Sequence, residues 1–340
     1  MHTPPVEKLD NGVWSLPVPI PGNPLGFTYV YLVEGSEGPL LVDTGWNHDE
    51  SWQALLQAVE KTGHTIEEVR GAVLTHFHPD HAGLAERLRE TTGAWIAMHP
   101  ADIAILRHLG HQSMEERRTV MATQLRRAGF PEEDVEALSA TDPIPASAVP
   151  DRELEDGAVL DLPGRDLRAV WTPGHSPGHL CLHLADGDLL FTVDHVLPRI
   201  TPHVGQFPLT AGDRNPLGDF LASQSSIGRT TDADRLLCLP SHERRFTDLP
   251  RRTEEITAHH EERLNETTAL LTDEPATLWE VTSRLPWRRP WDDMRVHARH
   301  MAAAETAAHL RLLEERARVR RTGSDALPRW VTVGASGLPT

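Results

Sequence analysis

The segment Thr75-His76-Phe77-His78-Pro79-Asp80-His81-Ala82-Gly83 carries four metal-competent side chains within six residues. It follows Gly71–Thr75, a short apolar run that reads as a buried strand. In extended backbone, side chains alternate with period two, so His76 and His78 project to the same side. Asp80 and His81 then turn into the helix expected over His81–Leu88, where they can serve a second cation across the loop. Imidazole and carboxylate together suit zinc, iron or manganese.

Outward from this loop the chain alternates strand and helix. Upstream, Val13–Val18, Phe27–Val33 and Leu40–Val42 predict strands between Pro and Gly clusters, and Ser51–Lys61 has helical apolar spacing that stops at Gly63. Downstream, Trp95–His99 predicts a strand, and Ala101–Leu138 reads as helical pieces only. The Pro-rich stretch Ala140–Pro150 reads as a connector. Strands are expected at Leu167–Thr172, His179–Leu184, Leu189–Val193 and Arg235–Leu239, with a turn at Ala185–Asp188 and a helix over Asn215–Ile227. After Pro250 the pattern is helical, with capping-box spacing at Thr277 and Glu280 and a long helix from Asp292 to about Arg321. Elements mixed in this order predict an α/β layered domain followed by a helical appendage.

The His-x-His-x-Asp-His loop after a strand resembles the signature of the metallo-β-lactamase superfamily, and further segments resemble that family in the right order. Asp43-Thr44-Gly45 looks like its Asp-Thr-Gly turn, whose aspartate orients a metal-bound histidine. Thr172-Pro173-Gly174-His175-Ser176-Pro177-Gly178-His179 looks like its third-ligand loop. Phe191-Thr192-Val193-Asp194 resembles the strand end that supplies a bridging carboxylate, with Val193 where glycine is usual. Leu239-Pro240-Ser241-His242 resembles the last ligand loop, with Ser241 where glycine is common.

The resemblance implies an αββα sandwich over residues 1–248, carrying a helical insertion at about 101–149. It also implies a small winged-helix-like domain over 249–340, carried by Ala304-Glu305-Thr306-Ala307-Ala308-His309-Leu310 and the residues after it. By the same resemblance His76, His78 and His175 hold one metal, and Asp80, His81 and His242 hold the other, with Asp194 bridging. Two cations so placed turn a bridging water into a hydroxide near neutral pH and polarise the attacked carbonyl or phosphoryl group. Asp80 is the residue expected to accept or relay the proton. His179 is expected to hydrogen-bond around the metals, and His195 and His203 are candidates for substrate contact. Gly174-His175-Ser176-Pro177-Gly178 also fits a serine nucleophile elbow, but an alternating strand follows it where a helix is required. The remaining histidines, His259, His260, His297, His300 and His309, lack ligand spacing and read as surface residues.

Charge bears on the substrate. The net charge is −17, and from Arg251 onward 14 Arg balance 14 Asp and Glu, so the excess acid lies in the first 250 residues. Nucleic-acid enzymes present basic faces, so an acidic catalytic half favours a small carboxylic ester, thioester or lactone, with an apolar acyl group suited to the Met- and Leu-bearing insertion. The resemblance leaves other readings open: a metal-dependent phosphodiesterase or endoribonuclease, an iron-dependent redox enzyme, and a metal-sensing DNA-binding protein. Zinc is the expected cation, with iron or manganese also suited. No apolar run has the length of a membrane span. Met1-His2-Thr3-Pro4-Pro5 does not begin a signal segment, and Cys181 and Cys238 read as small buried hydrophobes. These features predict a cytoplasmic protein with no membrane partner, in which the C-terminal region serves packing or homodimer formation.

Overall fold

The computed structural model describes residues 3–141, 147–206, 214–230 and 232–333. They divide into two compact units, one of 1–110, 145–202 and 223–254, the other of 111–144, 203–222 and 255–340.

The first unit is two sheets and the helices behind the larger one. Strands β1 (Glu7–Lys8), β2 (Val13–Pro19), β3 (Phe27–Val33) and β4 (Leu40–Val42) are antiparallel neighbours, and α1 (Asp49–Glu60) leads on toward β5 (Gly71–Val73). Helices α2 (Pro79–Ala82) and α3 (Ala85–Thr92) precede β6 (Trp95–Met98), and α4 (Pro100–Gly110) precedes β7 (Arg152–Glu153). From β4 to β7 the pairing is parallel, which requires such crossovers. The second sheet has the order β11-β10-β9-β8, from β8 (Leu167–Trp171), β9 (Leu180–Leu184), β10 (Leu189–Val193) and β11 (Leu237–Pro240).

Apolar side chains fill both faces of the larger sheet, as a parallel sheet demands. Val33, Val42 and Val73 meet Leu167, Leu182 and Phe191 between the sheets, while Leu16, Leu41 and Ile96 on the other face meet Trp52 and Leu55 of α1 and Leu88 of α3. Ile103 and Leu106 of α4 belong to that second core, so the start of the expected insertion is a core helix. Cys181 and Cys238 are free and buried. The turn expected at Ala185–Asp188 is a short 3-10 turn, closed by Asp188 at φ 51°.

In the second unit, α5 (Met114–Arg127) and α6 (Glu132–Ser139) pack against each other. Residues 142–146 of the Pro-rich connector lie outside the described residues. Helices α7 (Pro216–Ile227) and α8 (Leu249–Leu270) each cross from one unit to the other. There follow β12 (Ala276–Thr277), α9 (Leu278–Arg284), α10 (Val296–Glu315), β13 (Val319–Ser324) and β14 (Leu327–Thr332), with sheet order β12-β14-β13. Thr277 and Glu280 make the expected capping box.

The helix expected to run to Arg321 ends at Glu315 instead. Ala317 adopts φ 52°, which stops it, and residues 319–332 turn back as a hairpin between Ser324 and Leu327, with Gly323 at φ 78° in β13. Four of the six β13 residues are exposed, so no apolar alternation marked this strand. Among the described residues no helix is long and apolar enough to cross a membrane.

Candidate metal centre

Every candidate ligand sits in the loop or short helix that follows a strand, where backbone can turn while the sheet fixes its origin. The Asp43-Thr44-Gly45 turn leaves β4 with Asp43 at φ 64° and Gly45 at φ 95°, conformations open to Gly and tolerated by Asp. Thr44 N and Oγ1 donate to the His81 carbonyl at 2.8 and 2.9 Å, which clamps α2 beneath the turn. The approach is so close that a Cβ on Gly83 would lie 2.8 Å from the Gly45 carbonyl and 2.6 Å from Asn47 N. This contact also interrupts the single helix expected over His81–Leu88, which forms as α2 and α3.

The Asp43 carboxylate accepts from Thr75 N at 2.8 Å and Thr75 Oγ1 at 3.0 Å, and meets His81 Nδ1 at 2.8 Å. It thus binds strand end, loop and imidazole together and leaves His81 Nε2 to face inward. On β10, the usual glycine position holds Val193 at φ 42° with its side chain fully buried. That explains the family's preference for glycine: a β-branched residue there is strained. Ser241, at the other substituted position, is buried with no hydrogen-bond partner for its hydroxyl, while its carbonyl accepts from Tyr29 N at 2.8 Å.

These turns bring all seven candidate ligands together. His76 Nε2 lies 2.9 Å from His78 Nδ1 and 3.2 Å from His175 Nε2. His242 Nε2 lies 3.4 Å from Asp80 Oδ2 and 3.5 Å from Asp194 Oδ1, and Asp194 Oδ2 lies 3.4 Å from His81 Nε2 and 3.5 Å from His175 Nε2. Three trios, His76/His78/His175, His76/His81/Asp194 and Asp80/His81/His242, each keep their donor atoms within 4.8 Å of one another. His81 Nε2 and Asp194 Oδ1 are buried without a hydrogen-bond partner, an arrangement that is costly unless a cation joins them. The donor set and these orphaned atoms fit two divalent cations. His76 and His81 are buried, whereas His78, Asp80 and His175 are partly exposed and form the accessible side.

Electrostatics divides the ligands. Burial, reinforced by neighbouring imidazoles, holds His76 well below the usual imidazole range and His78 down to about 3, so both are neutral with a lone pair to offer. Burial also opposes charge on His81 and His242, but the Asp80 and Asp194 carboxylates outweigh it, raising His81 well above its ordinary value and His242 to about 10. Burial opposes ionisation of Asp80 and Asp194 too. His81 and His242 nevertheless hold both carboxyls below their ordinary value. Without a cation, protons on His81 and His242 balance the carboxylates, so loading the centre releases protons.

One residue at this centre carried no sequence signal. Asp102, in the first turn of α4, is completely buried. Its Oδ2 accepts from Phe77 N at 3.0 Å and Ser176 Oγ at 2.7 Å, and its Oδ1 accepts from Gly178 N at 2.6 Å. It therefore ties the loop of His76 and His78 to the loop of His175. Within Pro100-Ala101-Asp102-Ile103 it reads as an ordinary helix-start acid.

His179 is buried, with Nδ1 2.8 Å from Thr172 Oγ1 and its ring 5.2 Å from that of His76. His195 does not stand on an exposed rim: it has no exposed surface, and its ring lies 5.6 Å from that of His179. His203 belongs to the second unit, where its Nδ1 lies 3.7 Å from Glu305 Oε2. Ser176 of the alternative nucleophile motif is buried, engaged by Asp102 and followed by β9. His260 and His309, read as surface residues, are buried in the second unit.

A sheet-on-sheet fold whose strand ends gather His-x-His-x-Asp-His with His, Asp and His from three later loops defines a metal-dependent hydrolase. Residues 23–242 match the Metallo-beta-lactamase superfamily, and the chain belongs to it. It is similar to a metallo-beta-lactamase family protein of Thermus thermophilus, with 32% identity and a TM-score of 0.77, over 95% of this chain and 99% of that one. A beta-lactamase domain protein from Burkholderia ambifaria shares 27% identity with a TM-score of 0.80, covering 96% and 94% of the two chains. Among curated proteins, the Lactamase-like protein adaB of Aspergillus niger is 28% identical over 273 residues, 79% of this chain, which spans 66% of that relative's length. The Probable metallo-hydrolase YqjP of Bacillus subtilis is 24% identical over 310 residues, 85% of this chain and 88% of that protein.

Proposed function

We propose that His76, His78 and His175 hold one divalent cation and Asp80, His81 and His242 a second, with Asp194 between them, and that the centre hydrolyses a carboxylic ester, thioester or lactone. The convergence of these donor atoms, with orphaned polar atoms at the middle, carries the reading. When bound, the two cations supply Lewis acidity and a water acidic enough to react near neutral pH; zinc suits the donor set.

The chain's own groups supply orientation and proton handling. Asp80 Oδ2 accepts from Thr28 Oγ1 at 3.2 Å on the partly exposed side of the centre, where it is placed to accept and return a proton. Thr172 fixes the His179 ring through Nδ1, and burial keeps that imidazole neutral. Asp43 and Asp102 hold the ligand loops. An acyl substrate is favoured over a polyanion because the excess acid lies in the first 250 residues.

The order β12-α9-α10-β13-β14, with two strands paired as a terminal hairpin, supports a winged-helix-like reading of the C-terminal region. Four of its arginines pair with Glu261, Asn265, Asp325 and Glu280, which favours packing over nucleic-acid binding. A cytoplasmic site of action and a homodimer complete this reading.

The test compares kcat/KM for a medium-chain thioester and a simple phosphodiester on one zinc-loaded preparation. A preference for the thioester of two orders of magnitude is expected. The reverse preference would overturn the substrate class while leaving the centre intact.

A further inference from the structure

The second unit contains a cavity of about 410 Å³, within the range of small-molecule sites. Its origin can be read from α10. Ala303, Ala304 and Ala307 line it, whereas Leu310, Leu312 and Leu313 one turn on are packed into the unit's interior. Methyl groups at positions one helical turn apart leave the space that larger side chains would fill. Met121 and Leu125 of α5, with Phe130, Leu278 and the Trp330 indole, supply the other apolar walls.

The polar lining is lopsided. Arg127, Arg311 and Arg321 face Glu314, the single carboxylate among the described lining residues. That carboxylate already accepts from Trp330 Nε1 at 3.0 Å. Arg311 and Arg321 pair with Glu315 and Asp325, neither of which lines the cavity. Arg127, half-buried, has no partner among the described residues. His300 also lines the space, and burial keeps it neutral. Three cations against one engaged anion among the described lining residues, in a chain of net charge −17, suit a negatively charged ligand. A guanidinium fork suits carboxylate or phosphate oxygens.

We propose that this cavity binds an amphipathic organic anion, its carboxylate or phosphate monoester head at Arg127 and Arg311 and its apolar chain along the Ala303–Ala307 face. None of its described lining residues is a candidate metal ligand, and the proposal does not depend on the reaction assigned to the metal centre. An acyl acid and an alkyl phosphate share this chemistry and are told apart by affinity.

The test is calorimetric titration of the chelator-treated full chain with decanoate, decyl phosphate and, as the uncharged control, decanol. Chelation removes the cations, so binding to them cannot account for the signal. The expected result is saturable one-to-one binding of at least one anion and none of decanol. Arg127→Ala is expected to weaken binding about tenfold or more, and Ala307→Phe to abolish it with the thermal midpoint of the protein retained. If Ala307→Phe unfolds the chain, Arg127→Glu, on a half-buried helix position, tests the head-group contact by itself. Tighter decanoate identifies a carboxylate site and tighter decyl phosphate a phosphate site. The proposal is overturned if neither anion saturates, if decanol binds equally well, or if the arginine variants bind like the parent.

Discussion

In the first unit, five imidazoles and two carboxylates turn their donor atoms toward a common space. In the second, His260 and His309 turn toward each other at 3.2 Å, His309 Nδ1 toward the Glu305 carbonyl at 2.8 Å, and His203 toward the Glu305 carboxylate. Both clusters are rich in buried histidine. What separates them is carboxylate placement: Asp80 and Asp194 raise the proton affinity of His81 and His242, whereas burial leaves His260 down at about 3. The first cluster gathers two carboxylates among five imidazoles, a charge that calls for cations, whereas the second holds one carboxylate, Glu305, and leaves His260 neutral with its Nε2 buried and without a hydrogen-bond partner. They differ in backbone too. Ligand loops at the first include Asp43 and Val193 at positive φ, while His260 and His309 stand on the regular helices α8 and α10. Histidine density alone is therefore a poor guide to metal binding.

The widest separation between the clusters should appear on removing ligands. His78→Ala or Asp194→Ala is expected to lower kcat/KM about a thousandfold or more with the circular dichroism of the fold retained. His260→Phe should leave kcat/KM within a few-fold, and comparable losses from both clusters would erase the distinction. Next in size are the residues that hold ligands without binding metal. Asp43→Ala and Asp102→Asn are each expected to weaken zinc about 10–100-fold in competition with a chromogenic chelator. Unchanged affinity in both would show that the loops hold their geometry without them.

Acid should sharpen the comparison from the other side. His260 is neutral in the folded state, so the unfolded chain gains a proton first, near its ordinary pKa of about 6.5. The stability this neutrality confers is intact above that pH and declines as pH falls toward the folded value of about 3. From pH 7 to pH 5 the parent is expected to lose about 2 kcal/mol more than His260→Phe in urea unfolding. Equal losses would place the titration elsewhere. Backbone strain gives the smallest effect. Val193 and Val42 are both fully buried on strands, but only Val193 has positive φ. Val193→Gly should cost about 1–2 kcal/mol less than Val42→Gly in thermal unfolding.

The candidate ligands were legible because each lies in a short local motif whose spacing survives in the linear chain. His76, His78, Asp80 and His81 share one loop, and His175, Asp194 and His242 each follow an apolar run that forms a strand. Asp102 was not legible, since its role depends on amides and a hydroxyl 25 and about 75 residues away and an acid in a first helical turn is commonplace. The terminal hairpin escaped because an arginine-rich, solvent-facing strand offers no apolar alternation. The burial of His260 and His309 escaped for a related reason: His260 Nδ1 meets His309 Nε2 and His309 Nδ1 meets a backbone carbonyl, and such pairings leave no mark on spacing.

The Asp43 carboxylate has a consequence for motion. It accepts a hydrogen bond from Thr75 N at 2.8 Å and holds the imidazole of His81 with its other oxygen. An opening in which the Asp43 carboxylate swings away frees this amide and releases His81 together. Cation loading is therefore expected to slow deuterium uptake at Thr75 more than at Val33, whose strand pairing touches no ligand. A single backbone proton would then report, residue by residue and without substrate, whether the centre is closed.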